Sequence, residues 1–137
     1  MILADTSAWV EFDRASVSQV DLRLSSLIEA GGPVAVTEPV IMEVLAGARD
    51  EDRAAALGRL LARVGLVPFD PLADFHSAAR IYRRCRQAGI TPRGMVDCMI
   101  AAVAQRTGAV LLARDADLVR VAGIIGVGLD PASVAGR

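Results

Sequence analysis

A chain of 137 residues, 53% hydrophobic but only 4% aromatic, suits one domain whose core is built from Leu, Val, Ile and Ala. The net charge of −1 gives no global electrostatic case for nucleic acid, although all 15 basic residues are arginine, whose planar forks match phosphate oxygens two at a time. Asp5, Glu43, Asp97 and Asp115 break up the longest apolar runs, and no basic leader precedes the first of them, which argues against a membrane span or signal peptide and for the cytoplasm.

Residues 1–4 are a short apolar run, expected to be a buried first strand that delivers Asp5-Thr6-Ser7 at its C-terminal end. A short helix through Trp9, Val10 and Phe12 follows, with Ser7 its expected cap and Asp5 pointing into a site. Val17, Val20, Leu24, Leu27 and Ile28 mark a helix over 16–30, stopped by Gly31-Gly32-Pro33. Val34–Val36 is a second strand, after which Thr37 is an N-cap with Pro39 in the first turn. On that helix Val40, Ile41, Val44 and Leu45 form the buried stripe, and Glu43 sits at its flank. Taken alone, Glu43 reads as a plain surface glutamate.

The spacing then predicts a helix over 50–64, a third strand over 66–69, and a long helix opened by Asp70-Pro71 and closed by Gly89. That helix carries the lone His76, with no Ser or Cys motif beside it, and the cluster Arg80, Arg83, Arg84 and Arg86, crowded toward Arg93. A solvated face is the plainer reading of the cluster, and RNA contact the sharper one. Cys85 and Cys98 lack CxxC spacing and read as small buried apolar residues, with neither zinc nor a disulfide indicated.

The most informative stretch is 94–117: a helix apolar nearly all round, a Thr107-Gly108 stop, a strand over 109–113, then Asp115 and Asp117. Asp97 is the sole charge between Gly94 and Gln105. As a first-turn acid it would merely suit the helix dipole. An isolated carboxylate buried there would instead cost several kcal/mol unless a cation meets it. A short helix over 118–122 and a last strand over 124–129 complete the chain. The alternation of strands and helices argues for a three-layer α/β/α fold with a short parallel sheet, as one domain over 1–137.

In a parallel sheet the strand C-termini share one edge, so Asp5, Glu43, Asp97, Asp115 and Asp117 can converge there. Carboxylates without His or Cys favour Mg²⁺ or Mn²⁺ over zinc, and such ions commonly promote in-line displacement at phosphorus.

These same motifs carry a family resemblance. Asp5-Thr6-Ser7, Glu43 before Val44-Leu45, Asp97 before Ile100-Ala101-Ala102, and Arg114-Asp115-Ala116-Asp117 resemble the PIN-domain nucleases. With the first acid almost at the initiator Met, the compact chain is similar to the VapC toxins of VapBC pairs. The resemblance spans nearly the whole chain. It implies a metal-dependent endoribonuclease with catalytic Asp5, Glu43, Asp97 and Asp115, and metal ligands Asp5, Asp97, Asp115 and Asp117. Thr6 and Ser7 would orient the acids. It further implies an RNA substrate, a homodimer, and a cognate VapB-like antitoxin whose tail fills the groove. Two positions depart from the family pattern, Ala113 where Thr is usual and Leu118 where an aromatic is usual.

Rival readings lack their required residues. A receiver domain needs a lysine, of which the chain has none, and a haloacid-dehalogenase-type phosphatase needs an Asp where Ser7 stands. P-loop and dinucleotide glycine motifs are absent. The alternative that stands is a non-catalytic PIN-like module binding RNA or protein.

Overall fold

The strands set the frame. In the computed structural model, which describes residues 1–135, β1 (Ile2–Ala4), β2 (Val34–Val36), β3 (Gly65–Leu66) and β4 (Val110–Leu112) form one sheet in the order β3-β2-β1-β4, every pairing parallel. Leu3 lies between Ala35 and Leu111, and Ala4 beside Leu112. Successive strand residues point to opposite faces. All three residues of β1 and of β2 are buried, so the sheet is covered on both sides, as a three-layer fold requires.

Helices α1 (Thr6–Asp13) and α2 (Gln19–Glu29) link β1 to β2, and α3 (Glu38–Ala46) and α4 (Glu51–Leu61) link β2 to β3. Helices α5 (Asp74–Gln87) and α6 (Met95–Thr107) carry the chain from β3 back past β2 and β1 to β4, and α7 (Ala116–Ile125) and the short α8 (Ala132–Ala135) follow. The strand order therefore reverses between β1 and β4. In open α/β sheets a crevice opens at such a reversal, outside the strand C-termini. Helix α6 lies deep, with Cys98 and residues 100–104 buried, and it stops at Gly108, whose φ of 72° suits a residue without a Cβ. Cys85 and Cys98 are free and buried, as expected. Among the described residues no helix is long and apolar enough to cross a membrane.

Three elements differ from the sequence reading. The third strand is Gly65–Leu66 rather than 66–69: Val67 still donates to the Val36 carbonyl (2.8 Å), but Pro68 has no N–H to continue the ladder. The helix expected from Asp70 starts at Asp74, because residues 70–74 close a turn on themselves. The Asp74 N–H donates to the Asp70 carbonyl (2.7 Å), and the Asp70 N–H to the Asp74 carboxylate (2.8 Å). The last strand expected over 124–129 is absent among the described residues except for one bridge, Leu129 to Leu111. Its first residues belong instead to α7, whose buried Leu118, Val121, Ala122 and Ile125 keep helical spacing until Gly126 (φ 77°). The Ser133 hydroxyl takes over the strand's task beyond that bridge. It accepts from the Ala113 N–H and donates to the Leu111 carbonyl, each at 3.1 Å.

Candidate active site

Asp5 follows β1 directly, and its N–H donates to the Leu112 carbonyl (2.9 Å), tying the ends of β1 and β4 together. It fills both roles that the sequence divides between Asp5 and Ser7. Asp5 is the N-cap of α1, its Oδ2 accepting from the Ser7 N–H (3.2 Å) and the Ser7 hydroxyl (2.8 Å). Its Oδ1 is buried without any protein partner. The Ser7 Oγ also accepts from the Arg114 N–H (2.8 Å), so one hydroxyl joins the first acid to the loop after β4. Thr6 donates to Glu43 Oε1 at 2.6 Å, which fixes that glutamate of α3 against the start of α1. Glu43 is thus no plain surface residue.

Asp97 lies in the first turn of α6 and is half-buried. Its carboxyl is pushed up to about 7 by burial, then by the charges of Asp5, Asp115 and Glu43, with Arg93 pulling the other way. Burial likewise pushes Asp5 up to about 6, against the hydrogen bonds from Ser7. Two raised carboxyls in one crevice, shifted first by burial and then by neighbouring acids, mean that the protein alone holds their charged forms poorly. Asp115 caps α7, its Oδ1 accepting from the N–H groups of Asp117 (2.8 Å) and Leu118 (3.2 Å). Its Oδ2 accepts from Arg93 Nη2 at 2.7 Å.

Asp5, Glu43, Asp97 and Asp115 all line one pocket of about 540 Å³, together with Arg93 and Arg114. Asp117 is turned away from it, with Oδ2 accepting from Arg93 Nε (2.7 Å) and Oδ1 from Arg120. Partial burial works against that carboxyl, but the two guanidinium contacts outweigh it and hold its pKa below the ordinary value. Of the arginine cluster Arg93 alone lines this pocket, while Arg80, Arg83, Arg84 and Arg86 are exposed along α5, in keeping with the plainer reading of a solvated face. Glu11, which pairs with Arg114 at the rim, escaped the sequence reading, and Arg114 entered it as part of the last motif without a role of its own. Their signals were there in the adjacency of Arg114 to Asp115 and the helical i, i+4 spacing of Glu11 from Ser7.

The donor chemistry fits a hard divalent cation: carboxylate oxygens, an orphaned buried Asp5 Oδ1, and uncompensated charge. Among the described residues no three such side chains already stand as a ready cage. Asp115 supplies a reason, since one of its oxygens caps α7 and the other is held by Arg93.

Sheet order and site together define an α/β protein with a carboxylate pocket at the switch between β1 and β4. The chain belongs to the PIN-domain family, whose model, described as "PIN domain", matches residues 2–124 and so takes in all four acids. It is 46% identical over 119 residues to Ribonuclease VapC11 of Mycobacterium tuberculosis and, at the same identity, to VapC ribonuclease Mb1587 of Mycobacterium bovis. Each match covers 85% of this chain and 88% of the relative. Among solved structures, VapBC2 from Rickettsia felis bound to a promoter DNA fragment aligns with a TM-score of 0.75 at 18% identity, over 95% of this chain and 98% of that one. VapC20 of M. tuberculosis, described as a sarcin-ricin loop cleaving toxin, aligns at 0.63 and 22% identity, over 88% and 94% of the two chains. At such identities the structural likenesses establish the fold.

Proposed function

We propose that the protein is a metal-dependent endoribonuclease toxin of the VapC kind, hydrolysing RNA phosphodiester bonds in the cytoplasm. The observation that carries this reading is the gathering of four carboxylates on one pocket, two of them raised to about 6 and about 7. Asp5, Asp97 and Asp115 would hold Mg²⁺ or Mn²⁺. The ion supplies an activated water and charge stabilisation for in-line displacement at phosphorus. Glu43, steadied through Oε1 by Thr6, keeps Oε2 to accept the proton of the attacking water. Asp117, gripped by Arg93 and Arg120, serves this reading as a holder of arginine rather than as a ligand.

Regulation by a cognate VapB-like antitoxin is supported by the VapC relatives and by VapBC complexes among the structural neighbours. The cleft beside the pocket, lined by Trp9, Val44 and Leu57 and sharing Glu43 with it, offers apolar walls for such a segment. A homodimer belongs to the same reading. Purified protein should cleave RNA in Mg²⁺ and lose that activity in excess EDTA. Undiminished cleavage in EDTA would refute the mechanism, and RNA binding without cleavage in any divalent ion would favour a non-catalytic module.

A further inference from the structure

The Arg93 side chain is placed in an unusual way for a residue beside an acidic pocket. It stands in the loop before α6 and is 71% exposed, yet its guanidinium spans two carboxylates of a different element. Nη2 donates to Asp115 Oδ2 and Nε to Asp117 Oδ2, both at 2.7 Å. The two acids are not equivalent. Asp115 lines the pocket with Asp5 and Asp97, whereas Asp117 lies outside it and is held on its other oxygen by Arg120.

We propose that Arg93 is a two-position group: its Nη2 occupies Asp115 until a divalent ion takes that oxygen, and it then pivots on Asp117 to donate to a substrate phosphate in the pocket. The inference rests on the metal reading above and adds to it a named competitor. Asp115 Oδ1 is committed to two backbone N–H groups of α7, so Oδ2 is the oxygen it can offer most cheaply. Arg93 already holds it. The guanidinium side of the pair is open to water and salt, which lowers the cost of parting it, while a planar fork retains one contact as it gives up the other. Arg93 also belongs to the lining of the pocket, so the released nitrogen faces the space that a phosphodiester would enter. A guanidinium and a phosphate oxygen make the charge-assisted pair that replaces the lost one.

Competition is reciprocal: a contact that weakens ion binding is itself weakened by the ion. Titration calorimetry of Mn²⁺ into the full-length protein should therefore show about ten-fold tighter binding in R93A than in the natural chain, within the usual range of coupling between sites. R93K retains the charge but loses the fork, and it should also bind several-fold tighter. Simple charge repulsion predicts instead that R93K matches the natural chain, and that result would overturn the proposal. In NMR spectra the Arg93 Nη protons should shift on saturation with Mg²⁺ while the Nε–H, still on Asp117, holds its place. Unmoved Nη signals would also overturn it. In cleavage assays R93A should raise KM for RNA although its ion binding is tighter, opposite movements that general damage to the site does not produce. Equal isotherms for all three proteins would remove Arg93 as a competitor and leave the metal reading intact. No Mn²⁺ binding by the natural chain would remove both.

Discussion

Asp97 and Asp115 face the same pocket, but replacing them should affect stability in opposite directions, because Asp115 also caps a helix. Asp97 is raised to about 7, and Asp5 to about 6, against ordinary values of 3.8. An acid whose folded-state pKa lies above its unfolded value costs nothing at low pH. The penalty grows as pH rises from about 4 and is complete above about 7. In EDTA the protein should therefore melt higher at pH 5.5 than at pH 7.5. Glu11, Asp74 and Asp117, whose values are lowered, lose their contributions only below about pH 5 and leave that window clear. D97N should abolish cleavage, raise the melting temperature in EDTA at neutral pH and flatten its pH dependence. A mutant that melts lower than its parent would make Asp97 a structural first-turn acid. D115A should also abolish cleavage, but it removes the side chain that caps α7 and holds Arg93, a loss of about 1 kcal/mol in capping seen as a lower melting temperature.

At the scale of elements, the hydroxyl that completes the β4 edge gives a clean test. S133A leaves the buried Ala113 N–H without that partner, while the Leu111 carbonyl keeps the Asp130 N–H, and should cost about 1–3 kcal/mol in urea unfolding. A cost near zero would mean that the edge finds another partner. Such local devices are what the sequence could not show. Period-2 and period-3.6 patterning made the buried strands and α6 legible, because burial on both faces writes itself into composition. The strand expected over 124–129 failed because Ile125, a β-former by propensity, is claimed by the buried stripe of α7, with Ile124 partly buried beside it. Asp5, Asp97 and Asp115 were legible from their places after strands or in a first helical turn, whereas Glu43, in the second half of α3, was legible through the family motif. The outward turn of Asp117 was not, since it depends on Arg93 and Arg120, and Arg93 arrives from a loop 24 residues earlier in the chain.

For the whole molecule, charge crowding at one end of the sheet means that ion binding should register as global stability. At about one hundred times its dissociation constant, Mg²⁺ should add about 2.7 kcal/mol, a melting shift of about 10 °C for a domain of this size. The shift should shrink in D97N, where part of the repulsion is already relieved. An unchanged shift would place the ion elsewhere.

The pairing of β1 with β4 has a consequence for how the protein comes into being. The first acid emerges at Asp5, but the strand that flanks it and the acid that completes the pocket do not appear until 110–115. During synthesis every shorter nascent chain carries Asp5 beside an unfilled sheet edge, with Ser7 lacking the Arg114 amide and Asp97 lacking its neighbour across the crevice. Fragments released early should be inert, and prone to sticking through that edge. A ribosome translating this message is thereby exposed to no working nuclease until nearly all of the chain has been made, which leaves time for a neutralising partner to be at hand.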